Sequence, residues 1–312
     1  MALPIYGGIA LRWYGLAYLM GFVCGYVLLR HLAKRGLWVL KPEQTGDFIA
    51  AAALFGVFLG GRLGYVLFYH LPKVGWAQLA HDPLVIVRVW EGGMASHGGI
   101  LGLAIFVWFY AKKHHVTWCG LSDGLCVVAP LGLLFGRLAN FINGELYGRV
   151  AEGVAWAVKF PLSLSEEPVE VQSAAWQACT RVAPGLADAD SLNALVATAR
   201  VNPAVAQALG NFLPPRHPSQ IYECLLEGAL LFTILWVVRT RCPKAPDGLL
   251  TGLFLGLYAV FRIIGEQFRE PDAALVGILT KGQFFSLFML VFAGACFVHA
   301  WRGWRRGQPV RS

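Results

Sequence analysis

The sequence predicts an all-α polytopic membrane protein with about seven transmembrane helices, N-terminus out and C-terminus in. Three observations carry that prediction. Hydrophobic residues fill 57% of the 312 positions and charged residues 14%, against about 45–50% and about 25% in soluble domains. Seven apolar segments, near 12–30, 48–70, 94–111, 121–143, 219–238, 248–268 and 283–301, are long enough for about 30 Å of hydrocarbon. Finally, Lys and Arg gather in alternate connections. Arg30, Lys34, Arg35 and Lys41 follow the first segment, Lys112 and Lys113 the third, Arg239, Arg241 and Lys244 the fifth, and Arg302, Arg305, Arg306 and Arg311 the seventh. The positive-inside rule puts these connections in the cytoplasm. Residues 1–149 then hold the first four helices, 150–216 a small extracytoplasmic arm or head, and 217–312 the last three.

Composition also narrows the partners. The net charge of +8 is explained by basic loops that meet anionic bilayer lipids, and no nucleic-acid partner is implied. The seven cysteines form no Cys-x-x-Cys pair and lie near no His at ligand spacing. No metal, cofactor or disulfide framework is therefore expected. The N-terminal MALPIYGGIALRWYG lacks a basic region and a cleavage site, so the first helix is read as retained.

In the first segment Tyr14, Tyr18, Gly21 and Gly25 share a helix face. Tyr14 is either an interfacial aromatic or part of a site. The second segment carries Gly56, Gly60 and Gly64 at spacing four, a stripe for close helix packing, with Arg62 beside it as a buried ion-pair member. The third opens EGGMASHGGILG from Glu91, a glycine density that suggests a broken or re-entrant backbone around His97. Gly98 and Gly99 would let a substrate approach the backbone there. The alternative for His97 is a hydrogen-bonded core histidine.

The fourth segment runs into LLFGRLANFINGELYGR, Leu133 to Arg149, which places Arg137, Asn140, Asn143 and Glu145 within three turns. A charge near the bilayer centre costs on the order of 3 kcal/mol, so this face should meet a cavity, a partner or a substrate. FLGGRLGYVLF at 58–68 resembles it weakly and hints at a duplication. The head contains Ala-rich segments broken by Pro184 and Pro203. It reads as substrate guidance or, in preference, as simple bulk packed on the outer face of the helices, too small to stand as a domain.

The fifth segment begins RHPSQIYECLLEG, with Gln220, Glu223 and Glu227 on one stripe, and its carboxylates require partners. In the sixth, Tyr258, Arg262, Glu266 and Arg269 recur at spacings of four, four and three. That face is either functional or a Glu–Arg ladder that neutralises itself. Two arginine-bearing faces suit a phosphate at membrane level, because guanidinium binds phosphate oxygens bidentately and stays charged. A phospholipid headgroup supplies such a phosphate. No Walker lysine motif, paired-aspartate metal site or serine elbow is present.

The blocks WYG (13–15), SHGG (96–99), GRLANFINGELYG (136–148), RHPSQIYE (216–223) and YAVFRIIGEQFREPD (258–272) occur in this order. In them the chain resembles the phosphatidylglycerol-prolipoprotein diacylglyceryl transferases of bacterial inner membranes. The resemblance thins across about 150–212. It implies a multi-pass inner-membrane enzyme of seven helices, open laterally to the bilayer. Such an enzyme moves a diacylglyceryl group from phosphatidylglycerol to the lipobox cysteine in the signal peptide of a preprolipoprotein, forming a thioether and releasing glycerol phosphate. It also implies that Tyr14, His97, Arg137, Asn140, Glu145, Gly148, Tyr258, Arg262 and Glu266 bind or catalyse. On chemical grounds Arg137 and Arg262 hold the phosphate, Asn140, Asn143 and Tyr258 orient it, and Glu145 and Glu266 hold the arginines. His97 is the leading general base, or else it only orients while a carboxylate or the substrate phosphate takes the proton. The competing classes are a secondary transporter for an anionic solute and a non-catalytic membrane scaffold.

Overall fold

The computed structural model describes residues 2–4, 10–88, 92–187, 191–271 and 277–306. Glu91, Asp272 and Arg311 lie outside these described residues. The fold is helical apart from a short hairpin, in which β1 (Ala2–Pro4) pairs antiparallel with β2 (Ala10–Arg12), and a few isolated bridges. The principal helices are α1 (Trp13–Lys34), α2 (Pro42–Trp76), α3 (Ser96–Lys113), α4 (Trp118–Asn143), α5 (Val169–Val182), α6 (Leu192–Val201), α7 (Pro203–Gly210), α8 (Ser219–Arg241), α9 (Leu249–Gly265) and α10 (Lys281–Arg305).

Among the described residues, α1, α2, α4, α8 and α10 are long and apolar enough to cross a membrane. Helices α3, with 18 residues, and α9, with 17, occupy the other two predicted segments. Apolar side chains cover the outside as well as the core. On α10, Val291 and Phe292 are exposed while Ala293 between the flanking turns is buried, a distribution that suits lipid rather than water as the surrounding medium.

The chain forms two compact units. One comprises Leu19–Leu131, Phe232–Gly256 and Val291–Ser312. Its central feature is the crossing of α2 and α3. A Cβ added to Gly98 would fall 2.7 Å from the Cα of Gly64, and one on Gly60 would fall 2.8 Å from the Cα of Gly102. The stripe Gly56, Gly60, Gly64 thus meets a second stripe, Gly98 and Gly102, and the two backbones touch. In lipid, where helices gain little from burying apolar surface against one another, such contact supplies the packing energy. The described residues 92–95 just before α3 are irregular, with φ of 87° at Gly92 and 79° at Gly93; from Ser96 onward the backbone is regular helix, so the glycines of SHGG serve the crossing. The guanidinium of Arg62 donates to the carbonyls of Val85, Ile86, Gly92 and Gly93. Among the described residues it therefore holds the loop before α3 and forms no ion pair, in place of the ion pair expected.

In the same unit the buried carboxylate of Asp123 on α4 accepts from the amides of Gly248 and Thr251, both at 2.9 Å, and from the Thr251 hydroxyl at 2.7 Å. It caps the N-terminus of α9 from another helix, satisfying amides that have no partner within α9. Asp123→Ala is expected to lower stability by about 1–2 kcal/mol, read as an earlier melting transition in detergent. Asp123→Asn should lose less, because one acceptor oxygen remains.

The other unit comprises Met1–Tyr18, Gly132–Leu231 and Leu257–Leu290. It contains the head, which has a core of its own. Leu164, Ala175, Cys179, Leu195, Val205 and Leu209, from α5, α6, α7 and the turn before them, are buried together. Ser191 caps α6, and Asn202 caps α7 with its side-chain oxygen on the amides of Ala204 and Val205. The head is more than bulk, then, and backbone pairing ties it to the membrane-proximal chain. Gly148 N donates to His217 O, Arg149 N to Phe268 O, and Val158 N to Arg216 O, each at 2.9 Å.

Candidate active site

The site is built within the second of these units, beginning at the C-terminal end of α4. After Asn143 the chain leaves the helix through Gly144 (φ 74°) and Leu146 (φ 57°). A left-handed leucine is uncommon and is held here by its surroundings. Ser219 Oγ donates to Leu146 O at 3.0 Å, and Gln220 Nε2 donates to Glu145 O at 2.7 Å. Both side chains are fully buried at the start of α8. The HPSQ block thus fixes the GELYG turn. Gly148 follows because the chain is crowded: a Cβ there would lie 2.5 Å from the carbonyl oxygens of both His217 and Phe268.

This turn delivers Glu145 to Tyr14 at the start of α1. The Tyr14 hydroxyl donates to Glu145 Oε2 and accepts from Asn140 Nδ2, and Asn143 also hydrogen-bonds to it. Glu145 therefore holds Tyr14, not an arginine as expected. The carbonyl of Asn143 accepts from Arg200 of α6 at 3.3 Å, a direct link from the head to the site.

One helical turn before Asn140, Arg137 enters an ion-pair web. Its Nη1 lies 3.1 Å from Glu223 Oε2 and its Nη2 lies 3.2 Å from Glu227 Oε2. Arg262 from α9 reaches the same two carboxylates, with Nη1 2.6 Å from Glu223 Oε1 and 3.5 Å from Glu227 Oε1, while its Nη2 pairs with Glu266. Arg269 adds a contact to Glu223 Oε1 at 3.3 Å. Three guanidiniums thus face three carboxylates in a nearly dry interior, and both Glu223 and Glu227 are fully buried. Tyr258, one turn before Arg262, lies within electrostatic reach of Glu227, Arg262 and Arg137. The segment Cys224–Leu230 of α8 winds as a π-helix. Such widened turns recur at functional sites, and this one carries Glu227 to the same pair of arginines that Glu223 meets.

The sequence pointed to Arg137, Arg262, Glu266, Arg269 and Tyr258, and these come together. Tyr14, Asn140, Asn143 and Glu145 form a second hydrogen-bonded group on the same α4 end. Gly148 shapes the crossing of three backbone segments. His97, exposed at the first turn of α3, and the buried Gly98 and Gly99 belong to the other unit. Glu223 and Glu227 were legible as carboxylates in need of partners, but their link to the arginines was not read. The signal lay in the match between two apolar-helix carboxylates and arginines on two other apolar segments. Outside the spans, burial pushes the Tyr147 hydroxyl above its ordinary range, and the Arg216 guanidinium 5.1 Å from the centre of its ring acts against that shift. Among the described residues, no three His, Cys, Asp or Glu side chains are grouped to hold a metal ion. Chemically, the site offers guanidiniums for an anion, a tyrosine–carboxylate pair for hydrogen bonding, and little access for bulk water.

Known proteins point the same way as this geometry. Residues 1–299 match the family described as prolipoprotein diacylglyceryl transferase. A phosphatidylglycerol–prolipoprotein diacylglyceryl transferase of Neisseria meningitidis serogroup C is 40% identical over 298 residues, 94% of this chain and 92% of the relative. The enzymes of the same name from Serratia proteamaculans and Bdellovibrio bacteriovorus are 39% identical over 98% of this chain and 38% identical over 99% of it, covering 94% and 97% of their own lengths. With the match running through every block that builds the site, the chain belongs to the prolipoprotein diacylglyceryl transferase family.

Proposed function

We propose that this chain transfers the diacylglyceryl group of phosphatidylglycerol to the lipobox cysteine of a preprolipoprotein, the first step of lipoprotein maturation. The cysteine sulfur forms a bond to the terminal glycerol carbon of the lipid, the carbon–oxygen bond to phosphate breaks, and glycerol phosphate leaves. The observation that carries the reading is the guanidinium pair Arg137 and Arg262, converging from α4 and α9 on one buried spot. Charge develops on the departing phosphate oxygens, and fixed cations in a dry site lower the barrier most where charge develops. Tyr14, Asn140 and Asn143 provide hydrogen bonds beside that spot, and Tyr258 orients the phosphate.

All seven long helices cross the bilayer in this reading, with the N-terminus outside and the head on the extracytoplasmic face of the bacterial inner membrane. Basic residues in the last turns of α1, α3, α8 and α10 support that orientation. Helix α9 extends only about 26 Å at helical rise, and it is followed by a turn over 266–268 and by Arg269, which bridges to Gly148. The signal peptide of the substrate and the lipid both enter from the bilayer.

His97 takes the thiol proton. His97→Gln is expected to slow transfer by about 10²- to 10⁴-fold while phosphatidylglycerol binding is kept. The check is release of glycerol phosphate in the presence of a lipobox peptide, set against direct lipid binding to the same preparation. Wild-type release rates in the variant would remove His97 from the chemistry.

A further inference from the structure

The free site is balanced in charge, and its substrate is not. Arg137, Arg262 and Arg269 stand against Glu223, Glu227 and Glu266. A phosphodiester that enters among them brings one negative charge into a nearly dry interior. An uncompensated buried charge is strongly unfavourable, as it is when one partner of a buried pair is removed. The site must shed or neutralise a carboxylate.

The contacts distinguish which one. Glu223 touches all three arginines, so it keeps Arg269 when Arg137 and Arg262 turn to a phosphate. Glu266 keeps its place one helical turn from Arg262, with Gly282 packed against its carboxyl group. Among the described residues, Glu227 is ion-paired with the two arginines that the phosphate recruits, at 3.2 and 3.5 Å, and not with Arg269; its Oε1, like Glu223 Oε2, accepts no hydrogen bond. The groups that face it are Arg137 from α4, Tyr258 and Arg262 from α9, and Glu223 on its own helix. None of these can replace the lost cations.

We infer that binding of the lipid phosphodiester exchanges the Arg137–Glu227 and Arg262–Glu227 pairs for arginine–phosphate pairs, and that Glu227 takes up a proton from solvent as it is released. This rests on the phosphate-binding role given above to Arg137 and Arg262. The complex then holds one more proton than the free protein and lipid. Affinity for phosphatidylglycerol must therefore fall as pH rises, by about tenfold per pH unit where uptake is complete. Lipid loading and proton loading become one event, which leaves the site uncharged overall when the thiol arrives.

The test is calorimetric titration of the full-length protein in detergent with short-chain phosphatidylglycerol, in buffers of different ionisation enthalpy. The expected result is uptake of about one proton per lipid near neutral pH, none with the matching neutral diacylglycerol, none in Glu227→Gln, and retained uptake in Glu270→Gln, whose carboxylate pairs with Arg216 outside the web. Transfer to a lipobox peptide is measured on the same wild-type preparation. Binding and transfer without proton uptake overturn the exchange and leave the transferase reading intact. Uptake that persists in a folded Glu227→Gln protein overturns the assignment to Glu227. Absence of both binding and transfer overturns the transferase reading together with the exchange.

Discussion

Arg137→Ala is expected to reduce diacylglyceryl transfer by at least about two to three orders of magnitude, the usual cost of removing one fixed stabiliser of transition-state charge. It should also destabilise the protein. Arg137 holds two fully buried carboxylates, and breaking a buried pair costs about 3–5 kcal/mol because a charge is left without a partner. The two effects are separated by Arg137→Lys. Lysine keeps the charge and gives up the planar fork, so it should restore most of the stability while most of the rate stays lost. Melting in detergent and the rate of glycerol phosphate release, measured together, check both halves. A lysine variant with full activity would remove the bidentate clamp from the account.

Gly98→Val carries the second large effect, and it acts on folding. The space a side chain would need is occupied by the Cα of Gly64 and the carbonyl oxygen of Gly60. Overpacking a core ordinarily costs about 1–3 kcal/mol when neighbouring side chains can shift. Here the neighbour is backbone, so the cost should reach or exceed the upper end. Gly132→Ala on α4 is the control, since a Cβ there meets nothing within 4 Å. It should be neutral or stabilising by up to about 1 kcal/mol through helix propensity. Yield of folded protein and melting temperature read both variants. Equal tolerance of the two would mean that α2 and α3 do not cross at Gly98.

The span positions were legible because twenty or so apolar residues between basic turns admit few alternatives. The segment near 12–30 is the helix Trp13–Lys34, and that near 121–143 is Trp118–Asn143. The arginines were legible for the same reason, since a charge in an apolar run needs an explanation. Their partners were harder. Arg137 and Glu227 are ninety residues apart, and no periodicity connects positions on different helices. Glu266 and Arg269 were assigned to one helical face with Arg262, yet α9 ends at Gly265. They reach the web through the turn that follows, so the wheel argument named the right residues for an incomplete reason. Ser219 and Gln220 drew no structural role from the sequence because their work is to bind carbonyls of the GELYG turn, which no side-chain pattern records. The head core was missed because its helices are short and Ala-rich, and their moderate amphipathicity does not say which faces meet around Leu164 and Leu195.

The central claim is that this chain joins a diacylglyceryl group to a cysteine sulfur. The most direct measurement is mass spectrometry of a lipobox peptide incubated with purified protein and phosphatidylglycerol in detergent, beside the same peptide with its cysteine changed to serine. The account predicts a mass gain of one diacylglyceryl group on the cysteine peptide, located to that residue by fragmentation, and none on the serine peptide. No gain on the cysteine peptide, from a folded preparation that binds the lipid, would contradict it.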